Sequence, residues 1–248
     1  MATITRRTLA LGATWAAPAV IAAAAAPRLI ASPLCTPGGT MAIDWRYGTY
    51  LETTQTVGAV TEVIGFTFVP DVWPELTITA ATTRHGTSHG SGVNFHRNAQ
   101  TGGPYTSSIT LNYNEWTTTG YPNRTDWTIS FSQQVTGLRF AVTDIDWDGP
   151  NPALAGLVEN RENVTISPVP SASPGLGSAM TGSGTVLDPW RSVGNFNDNN
   201  NVTSSIANVA FDYQTTAMTA FTVTAWSTGS PGTQENLFLS TLTIDCPI

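Results

Sequence analysis

Short runs of alternating hydrophobic and polar residues fill most of the chain after residue 40. The run at 126–132 reads DWTISFS, in which Trp127, Ile129 and Phe131 alternate with polar residues. A period of two is typical of a β-strand that buries one face and exposes the other. The same alternation recurs at residues 41–47, 109–114, 137–142, 209–213, 221–225 and 238–244.

Clusters of turn-forming residues separate these runs, and no long segment after residue 31 has a helical period. The clusters read SHGSG at 88–92, TGGP at 101–104, SASPGLGS at 171–178 and TGSPG at 228–232. Strands that follow one another without crossover helices pair in antiparallel fashion. We therefore predict an all-β fold, an antiparallel two-sheet sandwich of jelly-roll type with about nine or ten strands. The predicted domain is single and spans residues 32–248.

The first 31 residues have the composition of an export signal. Arg6 and Arg7 precede an apolar stretch that is mostly alanine and ends among small residues. This order defines a cleavable signal, and the paired arginines indicate the twin-arginine route. We predict cleavage after Ala25 or Ala31, and hence an extracellular or cell-surface location. The alternative is an uncleaved membrane anchor, which Pro18 and the weak hydrophobicity of alanine disfavour.

The charge balance narrows the range of partners. All ten basic residues are arginine and 17 residues are acidic, for a net charge of −7. Cleavage after Ala25 removes Arg6 and Arg7 and makes the net charge −9. Such a domain repels nucleic-acid phosphates and anionic membranes. We therefore expect no nucleic-acid partner, and membrane contact only through the uncleaved leader during export; calcium or neutral glycans are more natural ligands.

The only two cysteines, Cys35 and Cys246, lie at opposite ends of the predicted domain. In an exported protein, two cysteines most simply form one disulfide. The bridge would require the first and last strands to lie side by side. Two buried free thiols are the alternative.

Three aspartates follow the strand predicted at 137–142 and stand two residues apart. Continued alternation would place Asp144, Asp146 and Asp148 on the face that holds the core residues. Carboxylates in a dry core need a cation, and oxygen ligands at this spacing resemble the start of a calcium loop, with Glu162 as a further ligand. The alternative is an acidic turn that is either solvated or paired with Arg161, because aspartate favours turns.

A resemblance adds to this picture. The segment VTGLRFAVTDIDWD at 135–148, followed by ENVTIS at 162–167, resembles a recurring segment of secreted bacterial β-sandwich domains from surface and extracellular-matrix proteins. In those domains a strand ends in a D-x-D turn before a "DRVTV"-like strand; here the segment ENRENVT at 159–165 departs from that wording, with asparagine where aspartate is usual. The leader is similar to those of exported surface proteins of high-GC Gram-positive bacteria. The resemblance implies an adhesive or structural role.

Tryptophans in turn-rich segments suggest a second function. Trp116, Trp147 and Trp190 lie beside threonine, aspartate, proline or glycine. Exposed aromatic faces stack on sugar rings, so these residues are candidates for a lectin-like carbohydrate site. The alternative is that their rings cover the ends of the sandwich.

Catalytic patterns carry less weight. The stretch at 86–90 matches G-x-S-x-G around Ser88, but glycine-rich sequence follows it and no acid lies between Ser88 and the last histidine, His96. A zinc or copper site at His85, His89 and His96 lacks the helix that would align them. We therefore predict a non-enzymatic exported sandwich, structural or adhesive and stabilised by calcium if the aspartates bind it. A carbohydrate-binding module is the alternative, and a hydrolase the third candidate.

Overall fold

The computed structural model describes residues 38–57, 61–73, 75–86, 95–98, 105, 107–115, 120–148, 160–193, 204–229 and 233–246. At 52–57, 61–65, 95–98, 112–115, 148, 160, 229 and 233–235 it describes the backbone alone. The predicted leader and Cys35 lie outside these ranges.

The described residues form seventeen strands and one short 3-10 helix at Tyr121–Asn123. In chain order the strands are β1 (Thr40–Ile43), β2 (Gly48–Val57), β3 (Thr61–Pro70), β4 (Ile78–Arg84), β5 (Phe95–Asn98), β6 (Ser108–Glu115), β7 (Thr125–Val135), β8 (Arg139–Thr143), β9 (Trp147–Asp148), β10 (Asn160–Ser167), β11 (Gly175–Leu176), β12 (Met180–Thr181), β13 (Arg191–Ser192), β14 (Val209–Asp212), β15 (Met218–Gly229), β16 (Thr233–Ser240) and β17 (Leu242–Asp245). Within the described ranges, no helix is long and apolar enough to cross a bilayer.

The all-β prediction is confirmed, and the strand pairs are antiparallel. The prediction of two sheets and about nine or ten strands differs from the described part of the structure, which has three sheets and seventeen strands. An eight-stranded sheet contains β1, β17, β8, β16, β6, β5, β14 and β11; a seven-stranded sheet runs β2-β3-β4-β7-β15-β10-β9; and β12 pairs with β13. The extra strands β9, β11, β12 and β13 are two residues long, too short to show a period in sequence.

The two large sheets meet face to face through aromatic side chains. Phe140 of β8, in the eight-stranded sheet, stacks on Phe221 of β15, in the seven-stranded sheet, with ring centroids 4.5 Å apart. Trp45 follows β1 and lies against Phe68 of β3 at 5.3 Å. Both contacts join residues that alternate inward along their strands, so the period of two does identify the core face.

The last two strands, β16 and β17, follow each other directly but pair with different neighbours on one side. On one side β16 pairs with β6, and β17 pairs with β1, while both contact β8 on the other side. The change occurs at Thr241, whose N–H donates to the carbonyl of Ser107 at 2.8 Å. The pairing of β1 with β17 is the neighbourhood of first and last strands that a Cys35–Cys246 bridge requires.

That pairing extends beyond the strand ends. The N–H of Cys246 donates to the carbonyl oxygen of Gly39 at 2.9 Å, and Gly39 is close to Cys35 in the chain. Cys246 itself is buried. The bridge stays a prediction because Cys35 lies outside the described residues.

Candidate functional site

A cleft opens on the outer face of the eight-stranded sheet, opposite the core. Its volume is about 450 Å³, which lies in the range of small-ligand sites. We name it the Arg139 cleft after the guanidinium in its lining. Its lining residues are Tyr105, Arg139, Phe140, Ser173, Gly175, Ala210, Phe211, Asp212, Thr241 and Thr243.

Strand register aligns three of these residues in one row. Arg139 of β8 lies directly opposite Asp212 of β14 on one side and Thr243 of β17 on the other. Directly opposite residues of an antiparallel pair project from the same face of the sheet. On the inner face the neighbouring positions Phe140, Phe211 and Leu242 are buried in the core, so the row of Arg139 faces outward.

Two carboxylates hold the guanidinium of Arg139. Its Nε lies 3.4 Å from Oδ1 of Asp212, and its Nη1 donates to Oδ1 of Asp245 at 3.1 Å. Asp212 Oδ1 also accepts the N–H of Gln214 at 2.8 Å, which fixes the carboxylate on the backbone. Because two carboxylates face one cation, the formal charge of the trio is −1.

A glycine gives Asp245 its place. Gly137 has φ +61, and a Cβ there would overlap the Asp245 carboxylate. The N–H of Asp245 donates to the carbonyl of Thr136 at 2.9 Å. Glycine is therefore required on both grounds: it adopts the left-handed region easily, and it leaves room for the carboxylate that pairs with Arg139.

Small side chains account for the depth of the cleft. The next outward row contains Gly175 of β11, Ala210 of β14 and Ala141 of β8, which lie opposite one another in register. This row is about 7 Å from the charged row, since same-face residues are two positions apart. Of this row, Gly175 and Ala210 line the cleft, and their small size beside the longer side chains of the charged row forms a depression in the sheet surface.

The Tyr105 wall is anchored through Ser107. Ser107 Oγ accepts the N–H of Trp45 at 3.0 Å and contacts Thr241 Oγ1 at 3.1 Å. Burial raises the pKa of the Tyr105 phenol, so the side chain is neutral at physiological pH. Tyr105 therefore presents a neutral aromatic body with a polar end to the cleft.

The opposite wall comes from the segment that ends in β11. Ser173 belongs to this segment, which is tied down where Tyr213 donates from its hydroxyl to the carbonyl of Pro168 at 2.6 Å. Burial raises the pKa of Tyr213, which keeps that donor protonated. Pairing of Gly175 with Ala210 fixes the other end of the segment.

The lining offers both hydrogen-bond donors and hydrogen-bond acceptors around a small apolar floor. Carboxylate oxygens accept, guanidinium N–H groups donate, and the hydroxyls of Thr241, Thr243 and Tyr105 do both. The sequence alone did not indicate this site. Its residues come from separate segments of the chain, and only the register across β14, β8 and β17 assembles them. The signal that could have indicated it is the polar residue at every second position of those strands, on the face opposite the core.

The predicted calcium residues are arranged differently from the sequence pattern. β8 ends at Thr143, and Asp144 then takes a left-handed conformation with φ +64. The alternation is broken there, and Ile145 enters the core fully buried. The expectation that all three aspartates continue the core face is therefore wrong. Aspartate tolerates the left-handed region better than most residues, and this permits the turn.

Two residues of the predicted calcium set, Asp146 and Glu162, are hydrogen-bonded to each other. Glu162 is 2% exposed, and its Oε2 accepts the N–H of Asp146 at 2.8 Å, while Asp144 is 8% exposed. Asp148 lies in β9, but its side chain is not described. Over the described part of the chain, no three His, Cys, Asp or Glu side chains form a metal-binding group.

The predicted sugar-stacking tryptophans fall into three situations. Trp190 is 1% exposed and packs edge-on against Phe211 at 5.0 Å. Its ring is part of the core and is not available to a ligand, which corrects the expectation for this residue. Trp147 is half-buried, with the Arg161 guanidinium 3.7 Å above its ring. Trp116 lies outside the described residues.

One histidine of the candidate cluster has a defined partner. His85 Nε2 lies 2.7 Å from Oδ2 of Asp126, and the other carboxylate oxygen of Asp126 accepts from Thr224 Oγ1 at 2.7 Å. Ser88 and His89 lie outside the described residues, and His96 is described by its backbone alone.

No protein family, curated protein or solved structure matches this chain.

Proposed function

We propose that this chain is an exported β-sandwich protein with a structural or adhesive role at the cell surface or in the extracellular matrix, and that it contacts its partner through the Arg139 cleft. The jelly-roll variant of the sandwich belongs to this proposal. The observation that carries it is the cleft itself: a charged row beside a row of small residues on the outer face. A sheet face that contacts only solvent does not require such a depression.

The geometry favours binding over catalysis. Asp212 and Asp245 are both engaged with Arg139, an arrangement that orders the lining before a ligand arrives. Prior ordering lowers the entropic cost of binding. Both carboxylates are ion-paired with the Arg139 guanidinium, at 3.4 and 3.1 Å, and therefore serve as fixed hydrogen-bonding groups beside the cleft.

The structure suggests a different carbohydrate-binding site from the one predicted from the sequence. The sequence predicted a site at loop tryptophans, but one of these, Trp190, is a core residue. The cleft supplies polar groups and the Tyr105 ring instead. The calcium proposal at Asp144, Asp146, Asp148 and Glu162 is independent of the cleft and concerns stability.

Two measurements test the proposal. The protein secreted by its expression host should bind cell-envelope preparations, and Ala210→Phe, which fills the cleft floor from the outer face, should reduce that binding at least about tenfold. Replacement of exposed Leu187 by Phe adds the same ring away from the cleft and serves as the control. Equal binding by both variants and the wild type would refute the role of the cleft.

Export is tested separately. Replacing Arg6 and Arg7 by lysines should retain the protein in the cytoplasm, because the twin-arginine route reads that pair. Unchanged appearance in the culture medium would contradict this route. Fractionation with immunoblotting of the full chain provides the readout.

A further inference from the structure

The chemistry of the Arg139 cleft indicates the class of its ligand. The carboxylates of Asp212 and Asp245 lie on either side of one guanidinium, so acceptors and donors alternate across a few ångströms. A hydroxyl group both donates and accepts, and it can bridge a carboxylate and a guanidinium. A ligand with adjacent hydroxyl groups satisfies such an alternating set better than a ligand with donors or acceptors alone.

The charge of the cleft selects against anions. Two carboxylates and one guanidinium leave a formal charge of −1 at the site, on a chain whose net charge is −7. A phosphate, sulfate or uronate near Arg139 would also lie near both carboxylates, and that repulsion discriminates against it. A neutral ligand avoids this cost while keeping the hydrogen bonds.

The other lining groups fit the same ligand. The ring of Tyr105 offers an apolar surface on which the C–H groups of a sugar can lie. Thr241 and Thr243 add hydroxyls along the neighbouring strand. The floor of Gly175 and Ala210 leaves space for a ring rather than a linear chain end.

We propose that the Arg139 cleft binds a neutral glycan, with adjacent sugar hydroxyls hydrogen-bonded to Asp212 and Arg139, the two charged residues of the lining. This inference rests on the proposed adhesive function and names the ligand class of the same site. It differs from the site suggested by the sequence, since neither Trp147 nor Trp190 is among the described residues that line the cleft.

The test uses the secreted full-length product on an array of immobilised oligosaccharides. The array carries neutral hexose and N-acetylhexosamine chains beside uronate-bearing and sulfated ones. Wild type should bind neutral chains. Asp212→Asn keeps the shape of the side chain but removes its charge, and should weaken binding by about tenfold or more, because hydrogen bonds to charged groups are the strong ones.

A matched control exists elsewhere in the chain. Asp188 pairs with Arg191 at 3.1 Å, and its side chain is 48% exposed, as is that of Asp212. Asp188→Asn should therefore bind glycans like wild type. Ala210→Phe provides a second cleft variant that leaves the ion pairs in place, and thermal melts of all variants confirm folding.

The outcomes separate the ligand class from the adhesive function. Neutral-glycan binding that is lost in both cleft variants and kept in Asp188→Asn supports the inference. Exclusive binding of sulfated or uronate-bearing chains overturns it, as does absence of glycan binding while Ala210→Phe still blocks envelope binding; both leave the adhesive function standing. If Ala210→Phe blocks neither glycan binding nor envelope binding, both the inference and the proposed role of the cleft are refuted.

Discussion

The indole Nε1–H of Trp45 donates a hydrogen bond to the carbonyl oxygen of Ser240 at 2.8 Å, across 195 positions of sequence. Ser240 is the last residue of β16, which pairs with β6. The next strand, β17, pairs with β1 instead. The backbone N–H of Trp45 is bound to Ser107 Oγ, which also contacts Thr241. Trp45 therefore joins the beginning of the domain to its end and supports the Tyr105 side of the cleft.

Trp45→Phe should lower the free energy of unfolding by about 2–4 kcal/mol. The variant leaves a buried carbonyl without its donor and replaces the indole with a smaller ring. Urea unfolding monitored by circular dichroism measures the change. Tyr47→Phe, at a ring that is 58% exposed two residues later, should change it by no more than about 0.5 kcal/mol. Similar losses in the two variants would contradict the assigned role of Trp45.

Asp44 should make stability depend on pH between about 4 and 2. Burial acts to raise the pKa of Asp44, but hydrogen bonds from Arg46 and Ser107 outweigh it and lower the pKa from 3.8 to about 2. A carboxyl whose pKa is lower in the folded state stabilises the fold above its unfolded pKa. That contribution is lost as the pH falls through the folded pKa.

Chemical unfolding at a series of pH values checks this contribution. Wild type should lose stability relative to Asp44→Asn between pH 4 and 2, by about 1 kcal/mol or less because the Arg46 side of the pair is exposed to solvent. Arg46→Met should shrink the same step. Parallel acid curves for wild type and Asp44→Asn would show that the pair contributes nothing.

Gly184→Ala should destabilise the fold by about 2–4 kcal/mol. Gly184 has φ +78, and a Cβ there would overlap the ring of Trp190. The cost combines left-handed strain of about 1 kcal/mol with overpacking of about 1–3 kcal/mol. Gly38 has φ +75, and among the described residues a Cβ there would meet no atom within 4 Å beyond its chain neighbours, so Gly38→Ala isolates the strain and should cost about 1 kcal/mol. Equal melting temperatures for the two variants would exclude the contact with Trp190 as the cause.

Reduction of the secreted protein should lower its melting temperature markedly. A bridge between Cys35 and Cys246 would close nearly the whole domain, for which chain entropy allows about 5 kcal/mol. The hydrogen bond from Cys246 to Gly39 supports the required proximity. Peptide mapping without reductant should find the two cysteine peptides linked, and alkylation of both thiols in unreduced protein would disprove the bridge.

The calcium proposal predicts a rise in melting temperature at millimolar calcium that a chelator reverses, because a ligand that binds only the folded state stabilises it. Asp146→Asn should abolish the rise, whereas Asp71→Asn, in an exposed turn, should keep it. A wild-type melt that is the same with calcium and with chelator would favour the acidic turn.

Much of the fold can be predicted from local sequence. Strand period places Trp127, Ile129 and Phe131 in the core, because alternate side chains of an extended chain point to opposite faces. The same rule fails at Asp144, where one residue with positive φ resets the alternation and brings Ile145 inward. Sequence alone does not show where an aspartate adopts that conformation.

The sequence by itself determines the β class, the inward residues of the long strands and the net charge of −7, because these depend on composition and on local backbone geometry. Only the tertiary structure decides which strands become neighbours. The pairing of β8 with β14 and β17 brings Arg139 between Asp212 and Asp245, two residues that lie far from it in the chain. A site built from strand register has no local signature, since register is set by the packing of the whole sheet.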